Sequence, residues 1–205
     1  MPGRLFLCRD RADLAASCGV PKSAVPHVPA RRNIAPGQDV LVLTGDAIVP
    51  MRWGIIPVGR KNARGRPVME TIVNARSETL FDKSAFAGTG RALLLADGWY
   101  EWTGKRGRKT PWRIRPRDGS LLPFAAITDT WIAPDNREVH QVAPLTCAPN
   151  GDVAPYHDRM GVLLATGHWQ VWLDAPPEQV RELFRPAPDG SMHIEPADDV
   201  DWTAP

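Results

Sequence analysis

The sequence predicts an α+β fold: a single β-rich domain with a mostly antiparallel sheet and a few short helices. Three observations lead there. The 21 prolines and 17 glycines are spread through all 205 residues, which interrupts any long helical pattern. Short apolar runs bounded by turn residues recur at 40–43, 52–58, 92–96, 112–114, 122–128, 139–145 and 160–165, as strands do. Helical patterning is confined to three short stretches. In chain order these are 11–19, then 77–86 with Ser77 as its cap, then 176–184 with proline in its first turn. Between the first two helices and the third, Tyr100-Glu101-Trp102 and Pro111-Trp112-Arg113-Ile114 read as the two arms of a hairpin around a basic loop. From Pro186 the chain turns rich in proline and aspartate. The expected organisation is one domain over 1–185 followed by an acidic, loosely held tail over 186–205.

An apolar fraction of 43% is enough to bury a core, which excludes global disorder. No apolar run approaches the ~18–20 residues of a membrane span, so no membrane partner is expected. The opening Met1-Pro2-Gly3-Arg4 lacks an apolar stretch of signal-peptide length, and Cys8, Cys18 and Cys147 are an odd number at no metal-ligand spacing. A monomer in a reducing cytoplasm fits these features, with no cofactor and no metal expected.

Charge is unevenly distributed. Residues 1–120 hold 21 basic and 10 acidic side chains, +11, whereas residues 121–205 hold 4 and 13, −9. The net charge of +2 conceals this split. A basic face of this size points to an anionic partner, with a plain solvated surface as the alternative. The acidic 121–205 segment is expected to face mostly away from that partner.

General catalytic motifs are absent: the chain has no phosphate-binding P-loop, no G-x-S-x-G, no H-E-x-x-H and no C-x-x-C. His27, His140, His157, His168 and His193 are scattered. Four strings are more unusual. They are Asn33-Ile34-Ala35-Pro36-Gly37-Gln38, Asn74-Ala75-Arg76-Ser77-Glu78-Thr79, Asp97-Gly98-Trp99-Tyr100-Glu101-Trp102 and His157-Asp158-Arg159-Met160. Taken singly, each has an ordinary explanation. Glu101 fits an exposed strand position, His157 a structural histidine and Asn74 a turn or cap, and Trp53, Trp99 and Trp102 fit core positions.

Taken in order, the strings say more. Met1-x-Gly-Arg, Asn-Ile-Ala-Pro-Gly-Gln, Arg-Trp-Gly-Ile-Ile-Pro, Asn-Ala-Arg-Ser-Glu-Thr, Asp-Gly-Trp-Tyr-Glu-Trp, Lys-Thr-Pro and His-Asp-Arg-Met closely resemble the SOS-response-associated peptidase (SRAP) family, from residue 1 to about 185. The resemblance implies a barrel-like sheet and recognition of abasic sites in single-stranded DNA, with crosslinking to them. In that family the initiator Met is removed and residue 2 is a cysteine. Its amine attacks the ring-opened sugar aldehyde, and its thiol closes a thiazolidine. By the same resemblance Asn74 would hold the N-terminus and the sugar, and Glu101 and His157 would move protons. Arg4, Arg76 and Arg159 would contact phosphates, and Trp53 and Trp102 would lie against the DNA.

The chain departs from that pattern at residue 2, which is Pro. Cys8 cannot substitute, because six residues of strand place it roughly 20 Å away and off the α-amine. A thiazolidine needs amine and thiol on one residue, so no stable crosslink is expected. An exposed Pro2 amine would still form an iminium, and the expected activity is an abasic-site lyase acting through a transient Schiff base. The alternatives are a non-catalytic DNA-binding paralogue and a peptidase limited to self-processing. Two further departures are Gly59, where the family has Trp, and Gly161, where it has Pro.

Overall fold

The computed structural model describes residues 2–57, 64, 70–83, 86–105 and 107–204. In chain order the elements are β1 (Leu5–Leu7), α1 (Arg11–Cys18), β2 (Arg31–Ile34), β3 (Asp39–Thr44), β4 (Ala47–Trp53), β5 (Ala75–Arg76), β6 (Gly90–Ala96), β7 (Gly98–Lys105) and β8 (Arg108–Pro116). They continue with β9 (Leu122–Ile132), β10 (Glu138–Cys147), β11 (Met160–Gly161), α2 (Trp169–Asp174), α3 (Pro177–Val180) and β12 (Met192–Pro196). Helix α1 starts where the Asp10 carboxylate accepts the amide hydrogens of Ala12 and Asp13, and stops at Gly19 in the left-handed region.

Five strands close on themselves. β3 pairs with β4 and β6, β6 with β9, β9 with β10, and β10 with β4, all antiparallel except the last. The expected β-rich, mostly antiparallel, barrel-like architecture is therefore what the chain adopts. Closure removes free edges and turns alternate residues inward. Leu93, Leu94 and Leu95 of β6 are nevertheless all buried, because Trp172 of α2 covers the outer side and donates its indole N–H to the Ala92 carbonyl at 2.8 Å.

A second, five-stranded sheet runs in the order β12-β8-β7-β1-β2. Asp97, alone between β6 and β7, is where the chain passes from barrel to sheet. Its carboxylate accepts from the Cys8 and Arg9 amides and from Arg9 Nε, fixing the end of β1 at this corner. The next residue must be glycine: a Cβ at Gly98 would lie 2.2 Å from the Ile114 carbonyl oxygen and 2.5 Å from the Phe6 ring.

Two sequence expectations are corrected. The described residues of 77–86 do not form an α-helix; Ser77–Thr79 makes a 3₁₀ turn, and the Ser77 side chain caps nothing. Tertiary partners draw the segment apart, Glu78 to Arg159 and Phe81 to a stack on Phe184. The segment after Pro186 is not loosely held either. Residues Met192–Pro196 form β12, paired antiparallel along β8 from Pro116 to Trp112.

Gly161 explains its own departure from the family pattern. A Cβ there would fall 2.2 Å from Phe124, a fully buried ring packed edge-on against Trp99. Gly161→Ala should therefore lower stability by about 1–3 kcal/mol, the usual range for overpacking, and Gly161→Pro by at least as much. Chemical denaturation of the two variants checks this; an unchanged midpoint would show that Phe124 has room to move.

Candidate functional site

The site is built where the second sheet meets the end of β10. β1 pairs antiparallel with β7, Leu5 opposite Trp99 and Phe6 opposite Gly98. The pairing extends through Arg4, whose carbonyl accepts the Tyr100 N–H at 3.0 Å. Carried one residue further, this register brings the N-terminal residues alongside Glu101. Pro2 itself is buried, and its carbonyl accepts from Asn74 Nδ2 at 3.0 Å.

Asn74 comes from the other layer. It precedes β5, which pairs parallel with β10 at Leu145 and Thr146. Beneath it, Trp53 is fully buried and donates its indole N–H to the carbonyl of Val73 at 2.9 Å, anchoring Asn74's neighbour. Asn74 Oδ1 is buried without a hydrogen-bond partner among the described residues, which leaves an acceptor free for a ligand.

Glu101 is 4% exposed. Burial pushes its carboxyl from the ordinary glutamate range up to about 7, although the neighbouring Trp99 indole works in the opposite direction. Near neutral pH it can thus give or take a proton.

His157 reaches the same place from β11's side, three residues before that strand pairs with β10. Its segment is held to the Glu101 strand by Tyr156, whose ring meets Trp112 edge-on at 4.9 Å; Trp112 sits directly opposite Glu101 and donates to Thr103 Oγ1. Burial lowers the pKa of His157, favouring the neutral ring. Its Nδ1 lies 3.0 Å from the Arg159 backbone nitrogen and 2.7 Å from an Asp158 carboxylate oxygen. Nδ1 serves one at a time: without a hydrogen it accepts from the amide, and carrying one it donates to the carboxylate and leaves Nε2 as the basic nitrogen of the neutral ring.

The structure thus brings Pro2, Asn74, Glu101 and His157 into one neighbourhood. The cationic residues differ in availability. Arg76 is exposed on β5, whereas Arg4 donates to Asn33 Oδ1 at 2.8 Å. Arg159 forms a bidentate pair with Glu78 at 2.5 and 2.8 Å and also donates to the Thr146 carbonyl, so it carries its own counter-charge.

Of the two tryptophans expected at a DNA surface, Trp53 needs correction. Trp53 is part of the core and presents no surface, because its ring lies between the barrel and Val73. Trp102 is one residue from Glu101 on the same strand, so it points to the opposite face, where it packs against Tyr100 and Trp202. Gly59 lies outside the described residues. Sequence reasoning passed over Trp112 and Tyr156 as site residues. Tyr156 was signalled by its place next to His157, and Trp112 by the expected hairpin, whose arms set it opposite Glu101.

The family model described as SOS response associated peptidase (SRAP) matches residues 1–200. The chain belongs to the SRAP family. Among SRAP relatives, the Bacillus subtilis protein named "Abasic site processing protein YoqW" is 30% identical over 165 residues, covering 75% of this chain and 72% of the relative. The Escherichia coli protein named "Abasic site processing protein YedK" is 29% identical, covering 98% and 90%. Crystal structures of proteins from Bordetella bronchiseptica (TM-score 0.80, 22% identity, 96% and 99% covered) and Bacteroides thetaiotaomicron (TM-score 0.77, 19% identity, 95% and 91% covered) share the fold. The SRAP match runs to residue 200 and so includes β12. Among the described residues no group of three or more His, Cys, Asp or Glu side chains is placed to hold a metal ion, and no helix is long and apolar enough to cross a membrane.

Proposed function

We propose that this SRAP protein processes abasic sites in single-stranded DNA through the amine of Pro2, exposed by removal of Met1. The observation that carries the reading is the hold of Asn74 on the Pro2 carbonyl at 3.0 Å, beside a buried glutamate poised near neutrality. The relatives' names, which speak of abasic site processing, point to the same substrate.

The Pro2 nitrogen adds to the C1′ aldehyde of the ring-opened sugar. A proton from Glu101 lets the carbinolamine oxygen leave as water. The resulting iminium has no N–H to lose and stays cationic, which acidifies the C2′ hydrogen. Neutral His157 takes that proton, and the electron pair expels the 3′ phosphate, breaking the C3′–O bond. Hydrolysis of the iminium returns the free amine. With no thiol on residue 2, the sequence ends in release rather than in a thiazolidine. Arg76 and the basic hairpin between β7 and β8 supply phosphate contacts, so binding should weaken steeply with salt.

With Met1 in place the Pro2 nitrogen is an amide and does not attack. Intact mass spectrometry after incubation with an abasic oligonucleotide and borohydride tests the reading. Protein starting at Pro2 should gain one oligonucleotide mass, and protein retaining Met1 should gain none. If Pro2-initiated protein takes up no mass but still binds the oligonucleotide, the chain is a binding paralogue and the lyase reading falls.

A further inference from the structure

The polar turn beginning at Asn33 has no part in the chemistry above, yet its side chain is only 3% exposed and is committed at both ends. Asn33 Oδ1 accepts from Arg4, two residues beyond Pro2, and Nδ2 donates to the carbonyls of Asp201 (3.3 Å) and Ala204 (2.5 Å). The C-terminal residues therefore lie on the outer face of β2, β1 and β7, in continuity with the N-terminal site.

What they present there is specific. The Asp199 carboxylate lies 2.5 Å from Arg113 and 3.6 Å from Arg32. Three residues later the Trp202 ring stands 4.9 Å from Tyr100 and 5.1 Å from Trp102. An anionic group on two guanidinium groups, followed at short spacing by a flat ring among aromatics, is the pair of contacts that a nucleotide makes with its phosphate and its base. Acidic side chains thus cover part of the basic face, contrary to the expectation that they point away from it.

We infer that the outer face of β7, β1 and β2 is a second binding surface for single-stranded nucleic acid, occupied in cis by segment 197–204 acting as a nucleotide mimic. Val200 is buried against Phe6 and Tyr100 and anchors the segment, but the Asp199 carboxylate is half exposed and such pairs are individually weak. An incoming strand, bringing a phosphate and a base in the same places together with further phosphates nearby, therefore competes for the Asp199 and Trp202 positions. Tethering still gives the segment a high local concentration, so it lowers the apparent affinity of the face for an external strand. The Arg4–Asn33 link carries the consequence to the reaction centre: a strand that displaces the segment leaves both Asn33 Nδ2 and Trp102 free at the edge of the site.

The inference rests on the single-strand reading above, and its test separates the two. A fluorescent, undamaged single strand of about 12 nucleotides, within the usual site size of one binding module, is titrated against the full chain, against Asp199→Asn/Trp202→Ala, and against a chain ending at Pro196, with thermal unfolding of each as the control for folding. The double variant should bind at least about tenfold more tightly than the wild type, and a synthetic peptide of residues 197–205 should compete with the strand for the shortened chain. Equal or weaker binding by a folded double variant overturns the inference, as does an absence of binding by all three. Tighter binding by the variant without any borohydride-trapped adduct removes the Pro2 chemistry and leaves this surface standing. Wild-type adduct formation without any effect of the tail variants does the reverse.

Discussion

Pro2→Cys is expected to turn a transient linkage into one that survives heating without borohydride. The Asn74–Pro2 hydrogen bond uses the backbone carbonyl of residue 2, so the contact does not depend on the side chain and should hold the cysteine amine where it holds the proline amine. A primary amine and a thiol on one residue then close a thiazolidine, which proline cannot form. The wild type should show adduct only after reduction, and the variant should show it on a denaturing gel without any reductant. The fraction crosslinked should rise from background to most of the protein. A Pro2→Cys variant that has lost Met1, folds normally and yields no heat-stable adduct would mean that the aldehyde does not reach residue 2, and the proposed chemistry would fail with it.

Glu101→Gln should slow formation of the trapped adduct by about 10²–10³-fold, the usual worth of a positioned acid or base. The pH profile distinguishes this from a loss of packing. Because Glu101 titrates at about 7, the wild-type rate should fall as pH rises through 7, and the Gln variant should lose that limb. Stability should move the opposite way. Folding raises this carboxyl well above its unfolded value, so the folded chain holds a proton that the unfolded chain has released between about 4.5 and 7. Wild-type stability is accordingly lost as pH climbs through that window, by on the order of 3 kcal/mol in all. The Gln variant carries no such penalty. It should therefore unfold at a higher temperature than the wild type at about pH 8, and the difference should shrink towards about pH 5. A variant less stable than the wild type at both pH values would show that the carboxylate is stabilised by its surroundings and not strained by burial.

Much of this was legible in the sequence, for a local reason. Apolar alternation and turn residues are properties of neighbouring residues, so β3, β6, the β7–β8 hairpin, β9, β10 and the helix at 11–19 could be placed without any knowledge of the fold. The run at 52–58, by contrast, meets only the last two residues of β4, and 176–184 divides into α3 and a 3₁₀ turn. The candidate quartet was proposed for a different reason: Pro2, Asn74, Glu101 and His157 each lie in a string unusual enough to carry a family resemblance. The misreadings are instructive. Residues 77–86 have a helical pattern, but Glu78 and Phe81 gain more from Arg159 and Phe184 than a short helix returns. Trp53 fits a core position when read alone and a DNA surface only by the family resemblance, and the core is where it lies, its indole bonded to the Val73 carbonyl.

The sequence alone determined the β-rich class, the asymmetry of charge, and the loss of the thiol at residue 2, because these depend on which residues are present and on how they alternate along the chain. Only the tertiary structure decided which side of β7 each aromatic occupies, that Trp112 and Tyr156 tie His157 to Glu101, and that the acidic end of the chain lies against Arg32 and Arg113 instead of pointing into solvent. Those outcomes depend on strand register and on contacts between residues up to 171 apart, as between Asn33 and Ala204. Side-chain alternation along one strand says nothing about which residue of another strand it will meet.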